Sequence, residues 1–213
     1  MKIYNLALSI LGILLILLGF NSPMILIFPL WIFSYLFKNH LIFLFKKIPK
    51  NYGFIIAGIV YGLIIESFAI MDNLGKPKDE MVLLSSLPTL DLIYGFFYYF
   101  CVIIAWYIVL RKINFSKKEI FLFTGIYGVF VEQTGQVFIQ IFTLPGLGLL
   151  YAILVIFVYG LFPMLAYSIT ENSFNQERKK TEYKHYLIIA FALFLQWAIY
   201  GNFILPILIR IFQ

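Results

Sequence analysis

The sequence predicts an all-α integral membrane protein of about seven transmembrane helices, with an internal duplication of a two-helix unit in the same orientation. First, 62% of the residues are hydrophobic and only 12% are charged, whereas charged residues make up about a quarter of a soluble domain. Second, the chain contains several apolar runs of roughly 17 residues or more, long enough to cross a bilayer as helices. Third, part of the sequence repeats, with an acidic residue at the matching place in each copy.

Seven apolar runs are the predicted spans of a single membrane domain, 1–213. They lie at about 4–20, 23–45, 52–71, 88–110, 119–142, 147–170 and 185–212. The first run follows Lys2 as in a signal peptide, but the sequence GFNSP after it lacks a small-residue cleavage site. We therefore expect the first span to be retained. The lone Cys101 excludes an internal disulfide and a cysteine metal cluster.

Positive charge predicts the orientation in the membrane. Basic residues cluster after the second, fourth and sixth spans, at Lys38, Lys46, Lys47, Lys50, Arg111, Lys112, Lys117, Lys118, Arg178, Lys179, Lys180 and Lys184. Cytoplasmic loops carry such an excess, so we expect a cell-membrane protein with its N-terminus in the cytoplasm and its C-terminus outside. The net charge of +6 then predicts that the basic loops interact with anionic lipids of the bilayer, and that the protein does not bind nucleic acid.

The repeat relates spans three and four to spans five and six. GIVYGLIIE, ending at Glu66, matches GIYGVFVE, ending at Glu132, and LPTLDLIYG from Leu87 matches LPGLGLLYA from Leu144. One insertion at 72–80 in the first copy reconciles their spacing. Repeat A is then about 52–112 and repeat B about 119–171. An even number of crossings separates them, so they would be related by an axis along the membrane normal.

The two glutamates are the main candidate site residues, because intramembrane acids are usually functional. At 1.5 Å per residue, Glu66 would lie about 20 Å along its helix, in the outer half of the hydrocarbon core, with Glu132 at similar depth. A spacing of four predicts that Gly128, Glu132, Gln136 and Gln140 share one helix face. Gly58 and Gly62 precede Glu66 at the same spacing, which favours close helix approach. We expect both glutamates to face the bundle interior.

Further polar residues at compatible depth complete the candidate binding site. Asp91 begins the fourth span, with Tyr94 and Tyr98 on roughly its face, and Gln196 lies in the outer half of the last span. The repeat aligns Asp91 with Gly148, so the predicted site is asymmetric. Asp91 could instead cap its helix, and the glutamates could be neutral groups that hydrogen-bond neighbouring helices. The remaining tyrosines and phenylalanines are interpreted as packing and interfacial anchors.

Missing motifs narrow the chemistry. His40 and His185 lie in or beside the basic loops, far from the glutamates, which argues against a histidine-zinc hydrolase. The sequence lacks a phosphate-binding glycine loop and a nucleophile elbow. We therefore predict no metal and no cofactor. An acidic, amide-rich and aromatic site favours a cation, a proton or a developing positive charge.

Three hypotheses follow. In the first, the chain is a secondary carrier in which Glu66 and Glu132 couple a proton or cation to a small amphiphilic solute, while the helix pairs rock. In the second, it is an enzyme acting on a lipid or isoprenoid, with a buried glutamate as general acid. In the third, it is a non-catalytic membrane assembly subunit. Under each hypothesis the chain could form an oligomer. An enzyme predicts an acyl-chain-sized cleft open to lipid beside the acid, a carrier predicts a water path to it, and a scaffold predicts a packed core.

Overall fold

The computed structural model describes residues 3–77, 80–174 and 177–212. Its described part is an all-α bundle with one two-stranded parallel sheet, in which β1 pairs with β2. In chain order the elements are α1 (Ile3–Gly19), α2 (Ile27–Leu36), α3 (Lys38–Phe45), α4 (Lys50–Asn73), α5 (Pro88–Leu110), β1 (Ile113–Asn114), α6 (Lys117–Val131), α7 (Gln136–Thr143), α8 (Leu147–Thr170), β2 (Lys179–Lys180), α9 (Tyr183–Ile199) and α10 (Leu205–Phe212).

Four helices in the described residues are long and apolar enough to cross a membrane, and a fifth crossing exists if a bent helix pair counts as one span. The four are Lys50–Asn73, Pro88–Leu110, Leu147–Ser173 and Tyr183–Phe212, where the last includes a wide π-type turn at Tyr200–Ile204. They coincide with the third, fourth, sixth and seventh predicted spans. The first predicted span is the 17-residue helix α1. The count of seven stays a prediction.

The second predicted span, 23–45, is not one straight helix. A 3₁₀ turn at Pro23–Leu26 leads into α2, and the chain then bends by 76° before α3. The bend falls where the polar run Lys38, Asn39 and His40 begins. If α2 continued straight, these polar side chains would extend its apolar helix. The bend instead places Lys38 near the charged groups of Lys117 and Glu171.

The fifth predicted span, 119–142, is also interrupted. Helix α6 ends at Val131, and a 3₁₀ turn at Glu132–Gly135 separates it from α7. Gln133, Thr134 and Gly135 have left-handed φ values of 47°, 55° and 88°. Because three successive residues leave the right-handed helix, the four-residue spacing no longer defines one face. The predicted stripe of Gly128, Glu132, Gln136 and Gln140 is therefore wrong.

The helices around α8 form the centre of the bundle. Helix α8 packs against both α4 and α6, and α5 packs against α4 and α9. Helices α6 and α8 approach closely, since a Cβ built on Gly125 would lie 2.7 Å from the Ile156 carbonyl oxygen. The fully buried Trp106 of α5 donates its indole N–H to Thr124 Oγ1 of α6 at 2.8 Å. These contacts join the α4–α5 pair to the α6–α8 pair.

The three basic loops lie at the same end of the bundle. The strands β1 and β2 join the loop after α5 to the loop after α8. Lys117 Nζ lies 2.6 Å from Glu171 Oε2, and Lys38 at the start of α3 interacts with both residues. At the opposite end, Asp72 at the end of α4 accepts a hydrogen bond from Ser22 before α2. The bundle therefore has one strongly basic end.

Candidate functional site

Both glutamates accept a hydrogen bond from a tyrosine on the next long helix. Tyr99 of α5 donates its hydroxyl to Glu66 Oε2 of α4 at 2.6 Å. Tyr159 of α8 donates its hydroxyl to Glu132 Oε2, immediately after the end of α6. Both glutamates are partly buried. Each acid is thus held inside the bundle by a neutral donor, and no cation pairs with either in the contacts of the described residues.

A glycine one turn before each glutamate makes room for the tyrosine ring. A Cβ built on Gly62 would lie 2.6 Å from Tyr99 Cδ1, and one built on Gly128 would lie 2.6 Å from Tyr159 Cβ. These separations are shorter than real Cβ contacts. The glycines predicted to allow close helix approach therefore accommodate an aromatic side chain that reaches the acid on the next turn.

Asp91 is a third acid in the same region. Its side chain is 0% exposed, and Oδ1 accepts a hydrogen bond from the Ser85 amide at 2.9 Å. Asp91 therefore binds the preceding loop and does not cap the free amides of its own helix, as one interpretation of the sequence expected. Oδ2 is buried and has no hydrogen-bond partner among the described residues.

The Glu66 carboxyl lies near the Asp91 side chain. The two groups interact electrostatically. The Glu66 side chain lies over Gly95, one turn after Asp91, where a Cβ would be 3.1 Å from Glu66 Cγ and 3.5 Å from Oε2. Two carboxylates cannot donate to each other, so a direct bond between these groups requires one proton. A proton on one of the two carboxyls, or a cation beside them, would relieve the repulsion between their charges.

Tyrosines connect the acids across the two helix pairs. Tyr98 of α5 donates to the hydroxyl of Tyr127 on α6 at 3.3 Å, and its ring centroid lies 6.2 Å from that of Tyr159. Gln196 of α9 also donates its amide to the Tyr127 hydroxyl. We call Tyr94, Tyr98, Tyr99, Tyr127, Tyr159 and Tyr200 the tyrosine cluster.

Two more buried polar atoms of this region lack a hydrogen-bond partner among the described residues. They are the Tyr94 hydroxyl and Gln196 Oε1. Tyr200, in the π-type turn after α9, contacts Tyr94 through the main chain, since its hydroxyl donates to the Tyr94 carbonyl oxygen at 2.9 Å. A buried polar atom without a partner costs about 1–3 kcal/mol. Three such atoms, from Asp91, Tyr94 and Gln196, mark a place where a proton or a polar ligand would be stabilised.

The structure brings together six of the eight predicted site residues. They are Glu66, Asp91, Tyr94, Tyr98, Glu132 and Gln196. Gln136 and Gln140 lie apart on α7, where Gln136 is exposed and the Gln140 carbonyl packs against Gly148 of α8. The break after α6 redirects α7, which removes both amides from the face that carries Glu132.

The sequence interpretation missed Tyr99 and Tyr159, which donate hydrogen bonds to the acids. It also missed Tyr127, whose hydroxyl accepts from Tyr98 and Gln196. It treated most aromatic residues as packing and interfacial anchors. A signal was present in Gly62 and Gly128, because a glycine one turn before each acid leaves a space that a large side chain must fill. Which tyrosine fills it depends on how the helices pack, and a single sequence does not contain that information.

An apolar cleft runs along the outer side of α4 and α5, and Glu66 is not part of its lining. It has a volume of about 510 Å³ and is lined by Leu63, Ser67, Leu92, Ile93, Phe96 and Phe97. Leu63 and Ser67 flank Glu66 on α4, and Leu92 and Ile93 follow Asp91 on α5. The cleft is open to the outside of the bundle. It offers an apolar chain a place beside the helices that carry the acids.

Protein-family models, curated proteins and solved structures contain no match to this chain. In residues 3–77, 80–174 and 177–212, no group of three or more His, Cys, Asp or Glu side chains is arranged to hold a metal ion. The described site consists of carboxyl groups that accept hydrogen bonds from tyrosine hydroxyls.

Proposed function

We propose that this protein is a secondary carrier of the cell membrane that couples proton movement to the transport of a small amphiphilic solute. One observation carries the proposal: Asp91 Oδ2 is buried and has no donor among the described residues, and the Asp91 side chain interacts electrostatically with the Glu66 carboxyl. Buried acids facing a bundle interior are typical of proton relays in transporters. Glu132 and the tyrosine cluster extend the site to the second helix pair.

The proposal includes seven spans and the duplicated two-helix unit. The shared arrangement of Gly62, Glu66 and Tyr99 with Gly128, Glu132 and Tyr159 supports the duplication. The tyrosines are not aligned by the sequence repeat, because Tyr159 lies three positions beyond the partner of Tyr99 in the Leu87 and Leu144 match. The acids are therefore equivalent in the repeat, while their donors differ by about one helical turn.

The common position of the basic loops supports the proposed orientation. All three lie at one end of the bundle, which we assign to the cytoplasm together with the N-terminus, and the C-terminus is then outside. On this assignment the solute site opens alternately as the α4–α5 pair rocks against the α6–α8 pair. The contacts of Tyr98 with Tyr127 and Tyr159 cross between the pairs and would break and re-form in each cycle.

Infrared titration of carboxyl groups in lipid nanodiscs tests the proposal. We expect the protonation of Glu66, Asp91 and Glu132 to change in linked steps with pH and to respond to an added amphiphilic cation, with loss of the linkage in Glu66→Gln. The loop variant Glu80→Gln is the control and should leave these bands unchanged. Glutamate bands that ignore both pH and the cation up to about pH 9, with no loss of stability in the Gln variants, would refute a carrier.

A second candidate is a membrane enzyme that modifies a lipid or isoprenoid. The apolar cleft of about 510 Å³ on α4 and α5, the helices that carry Glu66 and Asp91, favours it, because an enzyme needs a lipid-accessible chain site close to its acid. Product analysis on membrane lipid extracts distinguishes the two candidates. A new lipid product that disappears in Glu66→Gln would support the enzyme, whereas pH-linked flux without any product would support the carrier. A scaffold subunit would show neither.

A further inference from the structure

A second cavity lies at the basic end of the bundle, away from the three acids. It has a volume of about 380 Å³ and lies between the end of α5, the β1–β2 sheet and the start of α9. Its lining includes the basic side chains Arg111, Lys112, Arg178 and Lys179 and the acidic side chain Glu177. Basic groups therefore outnumber acidic groups four to one around a space large enough for a phosphate group and its ester.

The fold holds these basic residues side by side. The Lys179 amide donates to the Lys112 carbonyl oxygen at 3.1 Å, which places Lys112, the residue before β1, beside Lys179 of β2. Arg178 Nη1 donates to the Leu110 carbonyl oxygen at 3.1 Å, and its guanidinium lies 5.1 Å from the Phe174 ring centroid. Like charges held together repel each other, and an anion placed among them removes that cost.

His185 adds a donor of known tautomer to the cavity lining. Its Nδ1 accepts a hydrogen bond from the Glu182 amide at 2.9 Å, so the neutral ring carries its proton on Nε2. The residue is buried and lines the cavity. Guanidinium, ammonium and imidazole N–H groups together are the donors that bind phosphate oxygens in proteins.

The apolar surroundings indicate that the anion belongs to a lipid. Ile188 lines the cavity, and α9 continues from it with exposed apolar side chains: Leu187 is 75% exposed, Ile188 48% and Phe191 69%. Such a face has no partner in the described bundle and suits acyl chains. A basic cavity where apolar helices meet the cytoplasmic surface is the arrangement that binds anionic head groups.

We propose that this cavity binds the phosphate of an acidic phospholipid whose acyl chains lie along the exposed face of α9. The lipid would hold the loop after α8 against the end of α5, at the end of the protein that we assign to the cytoplasm. The site is separate from the acids and does not depend on the carrier or the enzyme hypothesis.

Native mass spectrometry of the detergent-solubilised chain tests the proposal with three probes: phosphatidylglycerol, phosphatidylcholine and inorganic phosphate. The test variant is the double substitution Lys112→Gln/Lys179→Gln. The sheet uses main-chain atoms, so it should persist in this variant. The matched control is Lys46→Gln/Lys47→Gln, which removes two exposed cations at the same end but outside the cavity lining. Circular dichroism verifies that each variant folds.

We expect phosphatidylglycerol to bind the native chain and the control, and its affinity to fall roughly 20-fold in the Lys112→Gln/Lys179→Gln variant. Phosphatidylcholine and inorganic phosphate should bind weakly to all three. An equal loss in the control would show a diffuse surface effect and overturn the proposal. Tight binding of inorganic phosphate alone would identify a free-phosphate site and overturn the lipid assignment. If the test variant unfolds, the single substitution Lys179→Gln must still weaken binding several-fold for the proposal to stand.

Discussion

Gly62→Ala tests whether the absence of a side chain at Gly62 is what allows the Tyr99 ring to pack beside Glu66. The added Cβ would lie 2.6 Å from Tyr99 Cδ1 and 2.9 Å from Tyr99 Cβ. These atoms are close to the root of the side chain, so the ring cannot simply rotate away. Tyr99 is also fixed by its hydrogen bond to Glu66 and by an edge contact with Phe162 at 4.9 Å between ring centroids. The substitution must therefore move Tyr99 away from Glu66.

The expected loss follows from three contributions to the free energy of unfolding. Overpacking of a well-packed interior costs about 1–3 kcal/mol. Loss of the bond between Tyr99 and Glu66 costs about 1 kcal/mol, and replacing a helical glycine by alanine returns about 1 kcal/mol. The last two offset each other, so Gly62→Ala should lower the free energy of unfolding by about 1–3 kcal/mol.

Two variants of the same helix pair separate these contributions. Gly53→Ala is the matched control in α4, since its new Cβ would meet only ordinary contacts, at 3.7 Å from Thr170 Cγ2 and 3.9 Å from Ser173 Oγ. It should leave stability unchanged or raise it by up to about 1 kcal/mol. Tyr99→Phe removes the hydroxyl alone and should cost about 1 kcal/mol.

Unfolding in mixed micelles by added dodecyl sulfate, followed by circular dichroism, measures all three variants under the same conditions. The reasoning fails if Gly62→Ala matches Gly53→Ala to within about 0.5 kcal/mol, the usual range for substitutions at open positions. If Gly62→Ala had native stability and the Tyr99 hydroxyl kept its native environment, the Tyr99 ring would not need the space left by Gly62.

Two further predictions concern the backbone break and the basic end. Thr134→Gly should raise the free energy of unfolding by up to about 1 kcal/mol in the same micelle assay, because Thr134 is β-branched and has a φ of 55°. Thr134→Val retains the strain and should give no gain; a loss of stability in Thr134→Gly would contradict the left-handed turn. At the basic end, the hydrogen bond and charge of Lys184 lower the pKa of Glu182 below its usual value. The stabilising contribution of this pair is present above the ordinary carboxyl pKa and is lost as the pH falls through the lowered pKa. Lys184→Ala should therefore raise the titration midpoint of Glu182, measured by NMR. An unchanged midpoint would exclude the contact between Lys184 and Glu182.

Hydropathy predicted where the long helices are, because an apolar run in lipid must satisfy its backbone hydrogen bonds as a helix. It did not predict the breaks within the second and fifth runs, since each run was treated as continuous across its short polar stretch, at 38–40 and at 132–136. The sequence did contain stop signals. Gly135 is the type of residue that ends helices in the left-handed conformation, and the polar run from Lys38 marks the other break. Length and mean hydropathy ignore both signals.

The acids of the candidate site were found from the sequence because a charged group within an apolar run is rare enough to stand out. Their partners were not, because the chain contains 15 tyrosines and 24 phenylalanines. In such a background, Tyr99 and Tyr159 look like packing residues. Only the arrangement of α5 and α8 beside α4 and α6 shows that these two hydroxyls reach the carboxyl groups.

The backbone break and the asymmetry of the site have one structural cause. In the sequence repeat, Gly148 occupies the position of Asp91. A Cβ built on Gly148 would collide with the backbone of Gln140 and lie 2.9 Å from the Ile141 nitrogen. Helix α7 therefore fills the place where a second Asp91 side chain would stand, and it does so because the chain turns away after Glu132. Glu66 thus gains a carboxyl neighbour that Glu132 is sterically denied. The two glutamates therefore have different surroundings: Asp91 interacts with Glu66, whereas α7 occupies the corresponding place in the second copy.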